Sequence, residues 1–528
     1  MPGTLHRRSF LGSAATALLP VPAFAQSPRA KTLRFIPSSN LVILDPVWTT
    51  LGITMLHAYY VFDMLYAVDS KLQPQPQMAE GHSVSDDERT WLIRLRDGLK
   101  FHDGEPVRAN DCAASIRRWG ARDSFGQVLL AACDAIEAAN DRTIRFRLKR
   151  PFPHLLDALA HPIASVCPIM PERLAKTDPN TQVTEMVGSG PFRFLKDEFV
   201  TGSRVAYAKF EDYVPRREPA DWASGGKRAY FDRVEWHIIP DPATAAAALQ
   251  SGEMDWWDIA MPDLVPMLQH TGQITVAYTD PLGYDSILRF NCINPPFDNP
   301  ALRRAVLGAV DQGEYMQAIN ASDKAWRTCY AVFACGLPHV RELGADVMRP
   351  PKDLESSKAA VAAAGYKGEK AVIINPTDIP SIAPHGELTA DLLKKLGMNV
   401  ELQAMDAGTW AQRRTSKEPV ERGGWSIFHT NAPSIALGTP TLNFYIRGQG
   451  ANGWLGWFKS DEMEKLCDEW LNSGADEQDH LFDAIQTLAF QQAPMVPLGQ
   501  YEGQTAYRND LSGVILAALN FPWNVRRA

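Results

Sequence analysis

The residues of this chain best spaced to hold a metal ion are His154, Asp157 and His161. At i, i+3 and i+7 they would share one face of a helix bracketed by Pro153 and Pro162, as an ion with imidazole and carboxylate ligands requires. The aliphatic residues between them suit packing, and that structural reading is preferred over a metal. His102-Asp103-Gly104 offers another imidazole and carboxylate, but its composition is that of a turn. There is no Walker-type loop, no Gly-x-Gly-x-x-Gly after a strand, no His-Glu-x-x-His and no Gly-x-Ser-x-Gly. No catalytic residue, metal or cofactor is therefore expected. Stacking surface, by contrast, is abundant. The chain has 14 tryptophans, several at expected strand ends or loops, where parallel α/β sheets place ligand crevices. Trp48 and Trp425 are candidates of this kind, with a core or rim role as the competing reading.

The elements that would position such groups are legible. Trp91, Ile93 and Leu95 alternate with polar neighbours as in a half-buried strand. Arg96-Asp97-Gly98 then predicts a hairpin turn into Leu99–Phe101, and Asn110 or Asp111 a cap for a helix with Ala113, Ile116 and Trp119 on one face. Strand–helix–strand patterns, the grammar of parallel sheets, run from Asp232 to Ile259 and from Ala371 to Leu402, and Trp425–His429 adds a strand to the second. Asp241-Pro242 opens one crossover helix, which Gly252 stops, and Gly397 ends the other. Further helices open at Asn299-Pro300, Asp353 and Ser460, and a last long one covers Glu477–Gln492.

Residues 1–25 read as a targeting segment. Arg7-Arg8-Ser9-Phe10-Leu11 has the twin-arginine pattern, the apolar stretch from Leu11 to Val21 is short and broken by proline, and Ala23-Phe24-Ala25 is a cleavage site before Gln26. The first cysteine is Cys112, too late for lipid attachment, so a free periplasmic protein with no membrane anchor is expected. At 528 residues the chain needs at least two lobes. Its 61 acidic against 53 basic side chains argue against nucleic acid as a partner, and Arg216-Arg217 and Arg413-Arg414 read as solvated faces. Among seven cysteines, Cys329 and Cys335 are the pair close enough to bridge a small loop in an oxidising compartment; two buried small hydrophobes is the alternative. Cys112, Cys133, Cys167, Cys292 and Cys467 read as core positions.

The run from Leu95 through Arg96-Asp97-Gly98-Leu99-Lys100-Phe101-His102-Asp103-Gly104 to Asp111 resembles a signature of the family 5 extracellular solute-binding proteins, the peptide- and nickel-binding subunits of ABC importers. Leu44-Asp45-Pro46, Gly188-Ser189-Gly190-Pro191-Phe192, Gly252-Glu253-Met254-Asp255, Asn299–Asp311, Ala363-Ala364-Gly365-Tyr366 and Gly424-Trp425 follow the family's order from about residue 32 onward.

The resemblance implies an α/β, two-lobed periplasmic binding protein, class II-like and of the large type, with an extra subdomain inserted in the first lobe. Lobe I would comprise 32–70, 187–284 and 499–528, the insertion 71–186 and lobe II 285–498, with crossovers at Tyr284–Asn291 and Val496–Gln500. It implies a non-enzymatic, monomeric receptor that passes a short peptide to a permease, with a non-peptide solute or metal chelate as the alternative. A rival from another class is a periplasmic enzyme exported folded. Trp48, Tyr284, Asn291 and Trp425 would line the cleft. Peptide binders of the family commonly place an aspartate three residues after the Gly-Trp tryptophan to pair with the peptide ammonium. Phe428 stands there, followed by His429 and Thr430. A buried ammonium without a carboxylate is costly, so the amine clamp is in doubt unless Asp45, Asp285 or Asp406 replaces it.

Overall fold

A computed structural model describes residues 31–163, 165–280, 282–320, 325–337 and 339–528. The leader read at 1–25 lies outside the described residues.

Two sheets organise the molecule. The first has seven strands in the order Ile274–Tyr278, Gln504–Arg508, Trp256–Trp257, Thr32–Ile36, Arg233–His237, Arg204–Lys209 and Phe192–Phe194. Thr32–Ile36 is parallel to both neighbours, and the helix Pro242–Ser251 makes the crossover between them. Asp241 caps that helix by accepting the Thr244 N–H at 2.7 Å, and Gly252 ends it in the left-handed region.

The second sheet runs Trp326–Arg327, Met495–Tyr501, Tyr284–Phe290, Ile427–Pro433, Lys370–Pro376 and Asn399–Met405. Lys370–Pro376 is parallel to both flanking strands, and the helix Ala383–Lys395 leads from it into Asn399–Met405. Its apolar face, including Ala390 and Leu393, is buried. The helices opened by Asn299, Asp353 and Ser460 form as expected, each capped by that side chain.

A separate four-stranded sheet, Ala79–Val84, Thr90–Leu95, Thr143–Leu148 and Cys133–Asn140, packs under the helix Ala109–Gly120. Here the expected hairpin is corrected. Thr90–Leu95 pairs with Ala79–Val84 and Thr143–Leu148. Leu99–Phe101 instead turns back on Glu105–Val107. The helix also starts earlier than expected: Arg108 is the N-cap residue, and Asp111 reaches back from the third helical position to accept its N–H at 2.8 Å.

Two buried contacts tie this unit to the first sheet's lobe. Asp45 receives Arg118 Nη2 at 2.6 Å and Nη1 at 3.2 Å, together with the N–H groups of Val47 and Val183. His102 lies 3.0 Å from the Gly190 carbonyl through Nε2, which holds the Gly188–Phe192 turn against the 99–107 hairpin.

The expected crossover segments are themselves strands. Tyr284–Phe290 and Met495–Tyr501 are strands of the second sheet along their whole lengths. Thr279-Asp280, just before the first of them, lies beside Glu502-Gly503, with the Thr279 N–H donating to the Gly503 carbonyl at 3.0 Å. A Cβ at Gly283, where φ is +74°, would sit 2.4 Å from the Tyr501 carbonyl oxygen, and one at Gly503 would sit 2.7 Å from the Tyr284 ring. Only glycine lets the two segments pass this closely.

Cys329 and Cys335 are joined by a disulfide, with Cα atoms 5.8 Å apart. Cys112, Cys133, Cys167 and Cys467 are buried and Cys292 half-buried. Among the described residues no helix is long and apolar enough to cross a membrane.

Candidate functional site

Where the lobes meet, a cavity of about 710 Å³ opens between the 47–50 segment and the inserted unit on one side and the second lobe on the other. Trp48, Arg122 and Asp123 line the first wall; Arg414, Lys417, Trp454 and Trp457 line the second. Hydrogen bonds cross the junction, from Trp454 Nε1 to Thr50 Oγ1 at 3.1 Å and from Gln127 Nε2 to the Asn452 carbonyl at 3.1 Å. A hollow of about 740 Å³ on the outer face of the second lobe, between helices Pro300–Ala309 and Leu354–Ala363, lies away from this junction and has no tryptophan in its lining.

The cavity's charge is mainly cationic. Arg122 donates to Asn180 Oδ1 at 2.8 Å and to the Trp48 carbonyl at 3.2 Å. Lys417 donates to the Ala451 carbonyl at 3.0 Å and stands over the Trp457 ring. Against these stands Asp123, which caps the helix Ser124–Ala132 by accepting the Phe125 and Gly126 N–H groups through Oδ1. Its Oδ2 is 4.0 Å from His161 Nδ1, and burial pushes the carboxyl above its ordinary range. Arg414 follows the helix Ala407–Arg413 and is only 3% exposed. Its guanidinium lies 3.9 Å from the Trp410 ring centroid and 5.2 Å from that of Phe428. Burial pushes it down to about 9. The expectation of a solvated Arg413-Arg414 face is thus wrong for Arg414. The turn after the helix points it inward, while half-buried Arg413 donates to the Gly423 and Gly424 carbonyls. Arg216, also read as solvated, folds back onto the carbonyls of Gln77 and Ala79.

The residues singled out from sequence divide sharply. Trp48 lines the cavity, with its indole N–H on the Asn180 carbonyl. Trp425 and Phe428 do not line it: both are fully buried, their rings 4.9 Å apart, and Phe428 also meets Trp410 and Trp454 edge-on. Trp425 donates from Nε1 to the Arg414 carbonyl at 3.0 Å and so orients the arginine's backbone. His429 points to the other side of the strand, as period-2 geometry dictates, and its Nε2 lies 2.8 Å from Thr389 Oγ1. Burial holds it well below the usual histidine range, so it brings no positive charge. Thr430 bonds locally to the Asn431 carbonyl. Tyr284 stacks on Tyr501 and donates to the Ala518 carbonyl, and Asn291 braces the Trp425 carbonyl within the second lobe. None of His429, Thr430, Tyr284 and Asn291 is among the cavity-lining residues.

The three carboxylates considered as replacement amine clamps lie elsewhere. Asp45 is consumed by Arg118, Asp406 caps the helix Ala407–Arg413, and Asp285 is buried in the strand Tyr284–Phe290. The metal candidates also separate. His154 pairs with Asp157 at 2.9 Å, while His161 turns to Asp123. Trp454, Trp457 and Arg122 were missed, since their loops carry no periodic signal. The charge of Arg414 was visible, but its burial was not.

Residues 73–439 match the bacterial extracellular solute-binding proteins, family 5. A relative from Sinorhizobium fredii, described as a probable peptide ABC transporter periplasmic-binding protein, y4tO, is 38% identical over 99% of this chain and 100% of its own length. The chain belongs to this family. It is the solute-binding component of an ABC importer, a family of receptors rather than enzymes. A glutathione-binding protein, GsiB, of Escherichia coli is 24% identical over 97% of both chains. The fold is shared with DppA from Helicobacter pylori, solved with the peptide STSA (TM-score 0.78, 21% identity, 94% of this chain and 98% of that one). It is also shared with AgaA from A. tumefacien, solved with agropinic acid (TM-score 0.77, 22% identity, 94% and 99%).

Proposed function

We propose that this family 5 receptor captures a small organic solute in the junction cavity and carries it to the permease, with a short peptide or peptide-like compound as the leading ligand. The observation that carries this reading is a tryptophan-lined cavity between two lobes. The peptide class is supported by the relative of 38% identity, whose description names a peptide transporter. A non-peptide solute or metal chelate is the second reading, favoured by Phe428 in place of the ammonium-pairing carboxylate and by a cavity wall that, among the described residues, carries no carboxylate besides Asp123.

On this reading the protein has no catalytic role: Asp123, the acid at the cavity, is occupied as a helix cap. Lobe I comprises 32–70, 187–278 and 504–528, the insertion 71–186 and lobe II 284–501. Residues 1–25 are an export signal, and the mature chain acts as a periplasmic monomer without nucleic-acid partners. Native mass spectrometry of protein secreted from its own signal tests the whole reading. The expected species is a monomer beginning at Gln26 that carries a small solute, and that solute, added back after removal, raises the melting temperature by mass action. A stripped protein whose melting temperature is unmoved by its co-purifying solute would refute it.

A further inference from the structure

Five arginines are buried among the described residues, and four of them donate to acceptors of the protein itself, although Nη1 of Arg447 has none. Arg118 is paired with Asp45, and Arg447 with Glu464 at 2.6 and 2.9 Å. Arg289 donates to the carbonyls of Leu455, Tyr445 and Pro494; Arg303 donates to those of Gln492, Ala493 and Phe297. The fifth, Arg414, lines the cavity. Its guanidinium has no carboxylate within ion-pair distance and no hydrogen-bond acceptor among the described residues, and its Nε is buried without a partner. The faces of Trp410 and Phe428 hold it by cation–π contact, which fixes the plane of the fork but leaves its N–H groups unmet. A desolvated, unpaired guanidinium is costly, so a partner from outside the protein is the natural acceptor.

We propose that Arg414 receives an anionic group of the transported solute, a carboxylate in bidentate contact, so that the ligands of this receptor are organic acids or peptides bound by their acid end with the amine end free or blocked. This deepens the receptor reading and rests on it. The chemistry of the walls agrees. A planar guanidinium fork matches a carboxylate, the flanking Trp454 and Trp457 suit an apolar or planar body, and Arg122 and Lys417 add positive charge around it. Asp123, the single opposing acid named on the wall, already accepts two backbone N–H groups, which leaves it a poor ammonium site.

The test uses the mature full-length protein and N-acetyl amino acids and N-acetyl dipeptides, each as free acid and as carboxamide, titrated by tryptophan fluorescence. Native mass spectrometry of the co-purified solute accompanies the titrations. Acids are expected to bind about thirtyfold or more tightly than their amides, and Arg414→Gln to erase that preference. Arg414→Lys, which keeps the charge and loses the fork, should retain part of it and guards against a folding defect in the glutamine variant. An anionic co-purified solute that is lost in Arg414→Gln supports the proposal even where no probe binds. Equal affinity for acids and amides, an acid preference that survives in Arg414→Gln, or a neutral co-purified solute overturns it while leaving the receptor reading standing. Absence of any bound solute, together with no response to any probe, overturns both.

Discussion

Replacing Phe428 with aspartate restores the residue type that peptide binders of this family carry at this position. Read from sequence alone, the change should improve binding of free-amine peptides. The structure predicts a different outcome. The Phe428 ring packs against Trp410, Trp425 and Trp454 with centroids 6.0, 4.9 and 5.7 Å away, and removing such a buried ring costs about 3–5 kcal/mol. The Arg414 guanidinium carbon is 5.2 Å from the same ring, so the introduced carboxylate finds a cation already in place. At that separation and an effective dielectric constant of about 20 the attraction is about 3 kcal/mol. Desolvation of the new charge offsets part of that gain, and the variant should be destabilised by roughly 2–4 kcal/mol yet still fold. With Arg414 internally paired, the acid-over-amide preference should collapse, as it does in Arg414→Gln, and free-amine peptides should gain little. Scanning calorimetry and the matched acid and amide titrations read both effects. A variant that binds unblocked peptides more tightly than wild type while keeping its preference for acids would refute this account of Arg414.

The remaining expectations concern the scaffold. Asp45→Ala leaves Arg118 buried without its carboxylate and should cost about 3–5 kcal/mol in urea unfolding, much of it recovered in Asp45→Leu/Arg118→Met; a loss below about 1 kcal/mol would show the pair to be dispensable. Serine at Cys329 and Cys335 should lower stability by about 2–3 kcal/mol, since the closed loop is short, and peptide mapping without reductant should recover the two linked; free alkylation of both would remove the bridge. Asp285→Asn tests a buried carboxyl that burial pushes up to about 7, against the opposing Ser434 hydrogen bond and Arg327 charge. Between about pH 4 and 7 the folded chain keeps a proton that the unfolded chain has released, so this group's contribution to stability is lost as pH rises through 7. The melting temperature of the asparagine variant relative to wild type should therefore climb across that window and level off above it. His57, His102 and His385, lowered by burial to about 3 to 4, give the opposite slope, but equally in both proteins, so the difference isolates Asp285. A flat difference would place the carboxyl in a wetter setting.

Much of the architecture was legible without coordinates because it rests on local rules. Asp241-Pro242 with Gly252, Asn299-Pro300 and Gly397 mark helix ends by backbone chemistry that needs no distant partner. The order of the motifs identified the family, since it samples nearly the whole chain. The errors arose where a long-range contact decides. Thr90–Leu95 looked ready to pair with the next segment, but strand pairing is chosen by the best partner in space, and that partner was Thr143–Leu148. The ladders on both sides of Tyr284–Phe290 are likewise long-range pairings that its own sequence does not reveal.

For the site, the sequence by itself determined that the chain is rich in tryptophan, lacks the common catalytic motifs and carries phenylalanine at the usual place of the amine-pairing acid. It could not tell which arginines are inside. Arg413 and Arg414 are adjacent and identical in type, and one helical step separates an arginine satisfied by surface carbonyls from one enclosed by Trp410 and Phe428. Burial depends on what the rest of the chain, some of it hundreds of residues away, packs against that step. For that reason the tertiary structure alone decided that Arg414 lies buried with its Nε unpartnered.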